Sequence, residues 1–157
     1  MPSTVPSLAA PAVIVHGLAD ACTALAPGLP LILLSAPGAA LYAGAGWWQA
    51  MIEAARKQFP GTDASDLLDC ADAPGRALEA LRIGLKGIVL DPLCPAFPAL
   101  AESAARLGAC LLPTAPPALD LARAGAARRL AAWLRETRRE PLPIPREPPH
   151  DRPGSIA

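Results

Sequence analysis

Residues 72–91 read DAPGRALEALRIGLKGIVLD and contain one complete unit of the fold. Asp72 and Pro74 are residues that commonly begin a helix, and the leucines that follow recur at helical spacing. Gly84 is typical of a helix end, and the apolar run 87–90 comes directly after it. The stretch therefore predicts a helix capped by Asp72, a short loop and a buried strand.

The same alternation of strand and helix recurs along the whole chain. Five apolar runs are predicted as strands, at residues 12–15, 31–34, 66–70, 87–90 and 110–112. They are continuous rather than alternating, as in strands covered on both faces, and strands that alternate with helices form parallel sheets. We predict an α/β fold, a single three-layer domain with a five-stranded parallel sheet in the flavodoxin-like order 2-1-3-4-5. The strand spacing also fits an alternative, half of a β/α barrel.

Two longer helices are predicted after the second and fifth strands. The first covers about residues 46–59, with Trp48 on its apolar face. The last covers about residues 118–138, with Trp133 on its apolar face. We assign residues 1–10 to a loose lead-in, 11–139 to the α/β domain and 140–157 to a Pro-rich disordered tail. Deleting residues 141–157 is predicted to leave thermal stability almost unchanged.

Composition narrows the classes of partner. The net charge is zero, and Glu136 and Glu140 lie among the arginines of the last helix, which favours a solvated face over nucleic-acid binding. Residues 21–52 carry no charge, but their prolines and glycines would interrupt a membrane-spanning helix. The four cysteines form no C-x-x-C pair, and no basic residue precedes an apolar stretch at the start of the chain. We therefore predict a cytoplasmic protein without a membrane span.

Ligands of open parallel sheets bind at the carboxyl ends of the strands, which points to a set of polar residues. His16 follows the first strand, whereas Asp69 and Asp72 come at the end of the third. In the predicted order these two strands are neighbours, and an imidazole oriented by a carboxylate is suited to general base catalysis. We predict His16, Asp69 and Asp72 as candidate catalytic residues.

The connection after the second strand is unusually long and rich in small residues. Residues 35–46 could present backbone N–H groups to a phosphate or carboxylate, although they match neither a dinucleotide-binding fingerprint nor a P-loop. We predict a ligand site at this edge made of Ser35, Gly38, Gly44, Gly46, Asp91 and Thr114.

Three function classes stay open from the sequence. The leading hypothesis is a module that binds a small anionic metabolite at the carboxyl edge of its sheet, with a homo-oligomer as an option. The second is an enzyme, a lyase or hydrolase, that uses His16 with Asp69 or Asp72. The third is a protein-interaction module that uses the Arg-rich last helix and the Pro-rich tail. No metal site is predicted, and no cofactor is identified.

Overall fold

The computed structural model describes residues 7–136. Its strands are β1 (Ala12–Val15), β2 (Leu31–Ser35), β3 (Ala64–Asp69), β4 (Gly87–Val89), β5 (Cys110–Leu112) and β6 (Ala118–Asp120). Its helices are α1 (Leu18–Leu25), α2 (Ala39–Tyr42), α3 (Ala45–Gln58), α4 (Pro74–Arg82), α5 (Phe97–Arg106) and α6 (Ala126–Glu136). The predicted Pro-rich tail lies outside these residues, as does most of the predicted lead-in. Within the described chain no helix is long and apolar enough to cross a membrane.

The strands form one parallel sheet in the order β5-β4-β3-β2-β1-β6. Each strand from β1 to β4 pairs with the next one along the chain, and β6 returns to pair with β1. The predicted α/β fold with a parallel sheet is confirmed. The predicted strand count of five is wrong, because residues 118–120 extend beside β1 instead of opening the last helix. The predicted order 2-1-3-4-5 is wrong, because β2 lies between β1 and β3.

Within residues 7–136 the helices cover only one face of the sheet. From β1 to β5 every crossover moves in the same direction, and right-handed crossovers then place all their helices on one side. The larger apolar cluster joins strand side chains of this face to buried residues of all six helices. α6 joins the cluster through Ala126, Leu130 and Leu134. The predicted three-layer arrangement is therefore wrong, and the domain has one layer of helices on one sheet.

The opposite face, which we call the inner face, is covered by the sheet itself. A second apolar cluster contains only strand residues at its centre, each at most 5% exposed: Ala12, Ile32, Leu34, Leu67 and Val89. Cys110 and Leu112 of β5 and Ala118 of β6 pack against it, so all six strands contribute. Without helices on this side, strand side chains bury one another only if the sheet curls around them.

The connection between β5 and β6 requires the same curvature. Leu112 ends β5 at one edge of the sheet, and Ala118 begins β6 at the opposite edge. Six steps of extended chain reach about 22 Å at most. Five strand intervals of a flat sheet already span about 24 Å, before the chain returns to the amino end of the next strand. The sheet is therefore curled, with β5 and β6 as its two edge strands.

A polar cluster joins α3 to the beginning of β3. The Trp48 side chain is fully buried, as predicted, and its Nε1–H donates to Asp66 Oδ2 over 3.0 Å. Arg56 donates to Asp66 Oδ1 over 2.7 Å and to the Ala64 carbonyl over 2.9 Å. Asp66 thus accepts hydrogen bonds from two side chains of the same helix, which fixes that helix against the sheet.

Candidate functional site

Three strand ends share a Leu-Asp pair with the same local geometry. In Asp69, Asp91 and Asp120 the carboxylate Oδ1 accepts the backbone N–H two residues further on, over 2.8 to 2.9 Å. This is the Asx turn, in which a short acidic side chain accepts the backbone N–H two residues further along the chain. Each of the three aspartates therefore ends a strand or the run that continues it.

Alternation along the strands places these aspartates and His16 on the inner face. Side chains of a strand point to opposite faces in turn. Asp69 follows Leu67 by two residues, and Asp91 follows Val89 by two, and both of these apolar side chains belong to the inner cluster. His16 follows Ile14 in the same way. At the carboxyl ends of the strands, the inner face thus carries polar side chains next to its apolar core.

His16 pairs with Asp120 at the edge between β1 and β6. Ile14 pairs with Asp120 in the register of these strands. His16 lies two residues after Ile14 on the same face, and its ring reaches back to the Asp120 carboxylate. The distance between His16 Nε2 and Asp120 Oδ1 is 2.7 Å, and the two side chains are 37% and 26% exposed. The structure joins His16 to Asp120 rather than to Asp69 or Asp72, because β6 and β2, not β3, flank β1.

His16 is held at its backbone N–H and at its ring Nε2, and the ring Nδ1 stays available. The His16 backbone N–H donates to Asp20 Oδ2 in the first turn of α1, over 3.0 Å. With Nε2 on a carboxylate, the neutral ring carries its proton there and exposes a lone pair at Nδ1. Nδ1 makes no hydrogen bond to any other residue in the described part of the chain. The pair can therefore accept a proton from a ligand at Nδ1.

The pKa of Asp120 is lowered from its ordinary value. Partial burial acts to raise this pKa, but hydrogen bonds from the His16 ring and the Ala122 N–H outweigh burial and stabilise the carboxylate. The positive charge of Arg123, and that of the His16 ring when it is protonated, act in the same direction. Asp120 is therefore an anion at neutral pH, as an orienting carboxylate must be.

Asp69 occupies the place that the sequence analysis gave to an anionic ligand. Its Oδ1 accepts the Gly38 N–H over 3.2 Å as well as the Ala71 N–H. Gly38 has a φ of 68°, a left-handed conformation that glycine adopts without strain, and it directs its N–H toward Asp69. The Gly38 N–H, one of the backbone donors predicted to bind an anion, is therefore already occupied by the Asp69 carboxylate.

Ser35 and Cys70 face the helices and not the inner face. Ser35 is 2% exposed, and its Oγ accepts the Asp69 N–H over 2.9 Å and donates to the Ala36 carbonyl over 3.1 Å. Its position favours a structural bond between β2 and β3. Burial raises the pKa of the Cys70 thiol to about 12, with the charge of Asp69 adding to the effect, so this thiol is not a nucleophile at neutral pH.

The remaining predicted residues are spread around the same edge of the sheet. Asp72 is exposed and does not cap α4, because Ala73 holds the cap position without a side-chain bond. Thr114 is exposed two residues beyond β5. Gly44 precedes α3 with a φ of 84°, and Gly46 lies in its first turn. The ligand-binding roles of these residues stay predictions.

Arg123 and Asp120 are functional candidates that the sequence analysis missed. Residues 118–123 were included in the predicted last helix because the apolar spacing of 119–130 resembles a helical face. The repeated Leu-Asp pair was the available signal, since Leu68-Asp69, Leu90-Asp91 and Leu119-Asp120 all occur where a strand or its continuation ends. Gly125, with a φ of 76°, separates this strand from α6.

Other features of the surface lie away from His16. A cavity of about 280 Å³ opens between α4 and α5 and is lined mainly by apolar residues, among them Leu78, Ala99 and Leu100. Within residues 7–136 no three acidic, histidine or cysteine side chains are grouped so that they could hold a metal ion. No protein-family model matches this chain, and no curated protein is similar to it in sequence.

Proposed function

We propose that this protein is a small lyase in which His16 Nδ1 removes a proton from its substrate. The observation that supports the proposal is the 2.7 Å contact between His16 Nε2 and Asp120 Oδ1 on the inner face of the sheet. Catalytic side chains of β/α barrels lie at the carboxyl ends of the strands, which is where this pair lies.

The step is a proton transfer without a covalent intermediate. A substrate C–H bond breaks, the proton moves to Nδ1, and the electron pair stays on carbon to expel a leaving group from the neighbouring atom. The imidazolium keeps its Nε2–H on Asp120, whose negative charge stabilises it. Ser35 and Cys70 are buried on the helix side, and Lys57 and Lys86 lie toward the amino ends of the strands. This arrangement favours acid–base chemistry over nucleophilic catalysis.

The test is hydrogen–deuterium exchange into small carbonyl compounds. A panel of two- to six-carbon aldehydes, ketones and oxo acids is incubated with the protein in D₂O and followed by proton NMR. His16→Gln should slow exchange at least a hundredfold, as expected for loss of a general base. His150→Gln is the matched control, because His150 is the second histidine of the chain and lies outside the described residues.

A second variant separates orientation from proton transfer. Asp120→Asn keeps the shape of the side chain but removes its charge, so we expect slower exchange than in the wild type with a changed pH profile. If no compound exchanges faster with the wild type than with His16→Gln, the proposed function is wrong. The interaction hypothesis for the arginines of α6 and the tail stays a prediction.

A further inference from the structure

The strand end that carries Asp120 continues into a tight turn that carries Arg123. The Arg123 N–H donates to the Asp120 carbonyl over 3.1 Å, and the Ala126 N–H donates to the Arg123 carbonyl over 3.1 Å. These two backbone bonds hold Arg123 one turn away from the carboxylate that orients His16. The position of Arg123 is thus fixed by the same strand end as the catalytic pair.

The Arg123 guanidinium is exposed and has no partner within residues 7–136. Its charge helps to lower the pKa of Asp120, yet the two side chains form no ion pair. The first turn of α6, which follows at once, contains no acidic residue that could compete for it. A cation with five donors therefore stands in the turn after β6, where its charge acts on Asp120, the carboxylate that orients His16.

We propose that Arg123 binds the carboxylate of a small substrate and thereby presents the neighbouring carbon to His16 Nδ1. This inference rests on the proposed function and names the substrate class, which is a small monocarboxylic acid. A planar guanidinium matches a carboxylate with two parallel N–H donors, which fixes both position and orientation.

The charges of the edge favour a single negative charge on the ligand. Asp69, Asp91 and Asp120 end their strands on the inner face, and Asp20 lies in the first turn of α1. A phosphate carries close to two charges at neutral pH, so these carboxylates would repel it more strongly than a monoanion. The sequence predicts an anionic ligand in the loop after β2. The inference instead names a carboxylate and places it at the turn after β6.

The experiment is a titration with acetate followed by NMR of the ¹⁵N-labelled protein. The signals observed are the Arg123 Nε–H and the His16 ring, and the uncharged acetamide and inorganic phosphate are titrated in parallel. We expect a saturable shift of both signals with acetate, a weaker response to phosphate and none to acetamide. Arg123→Gln should weaken acetate binding about tenfold or more, as measured on His16.

Arg128→Gln is the matched control, because Arg128 is also exposed and its loss removes the same charge from the same region. It should leave acetate binding unchanged. Equal weakening by both substitutions, or no saturable shift in the wild type, would overturn the inference. The proposed function is tested separately: binding that depends on Arg123 without His16-dependent exchange refutes the catalytic role, and the reverse result refutes the role of Arg123.

Discussion

At the scale of single residues, Asp120 differs from the other aspartates of the strand ends only by its partner. Asp91 makes the same Asx turn but has no histidine beside it. Because the hydrogen bond from His16 favours the ionised carboxyl, folding stabilises the Asp120 anion. This difference makes the contribution of the hydrogen bond from His16 separable from that of the turn.

We expect Asp120→Asn to destabilise the protein by roughly 1 kcal/mol more than Asp91→Asn near neutral pH. The folded pKa of Asp120 is lowered, so its contribution is complete above the unfolded pKa and is lost as the pH falls through the folded pKa. Urea unfolding of both variants, at neutral pH and again below about pH 3, measures how much of this contribution is lost in acid. Equal destabilisation by the two variants at neutral pH would show that the histidine adds nothing.

At the scale of elements, Asp66 determines how α3 is attached to β3. Its carboxylate accepts a hydrogen bond from the Nε1–H of the fully buried Trp48 and another from the guanidinium of Arg56. The bonds run from one face of a helix to one strand residue, so they fix the rotation of α3 about its axis. Apolar packing alone tolerates small rotations more easily than paired polar groups do.

We expect Asp66→Ala to lower the free energy of unfolding by about 2 to 3 kcal/mol, because it leaves two donors without an acceptor. Asp63→Ala is the control, since Asp63 is exposed three residues earlier and should change stability by less than about 0.5 kcal/mol. Chemical denaturation with tryptophan fluorescence as the signal gives both values. Similar values for the two variants would contradict the role of the cluster.

At the scale of the whole molecule, the curled sheet is buried on both faces although its helices cover only one. Leu67 and Leu68 are both fully buried, the first on the inner face and the second against the helices. We expect Leu67→Ala and Leu68→Ala to destabilise the protein similarly, by about 2 to 4 kcal/mol each. A flat sheet would expose its inner face, so a loss below about 1 kcal/mol for Leu67→Ala alone would refute the curvature.

The sequence predicts the elements better than their arrangement. Apolar runs locate five of the strands, and Trp48 is recognised as a core residue because it lies on an apolar helical face. Strand order depends on which distant strand lies beside β1, and local patterns carry no information about such pairings. β6 has three residues and adjoins a helical apolar pattern, which hid Asp120 and so the partner of His16. His16 directly follows a strand, and this position is the signal by which the sequence predicts it as a candidate.

The β1 to β6 pairing also has a consequence for the order of folding. Neighbouring strands from β1 to β5 are close in sequence, whereas β6 pairs with a strand about a hundred residues away, and closing such a loop is entropically expensive. We expect the first five strands to associate early and β6 to dock last, together with α6. Because Asp120 arrives only with that final step, an intermediate that lacks β6 would already contain most of the core and yet lack the hydrogen bond between His16 and Asp120.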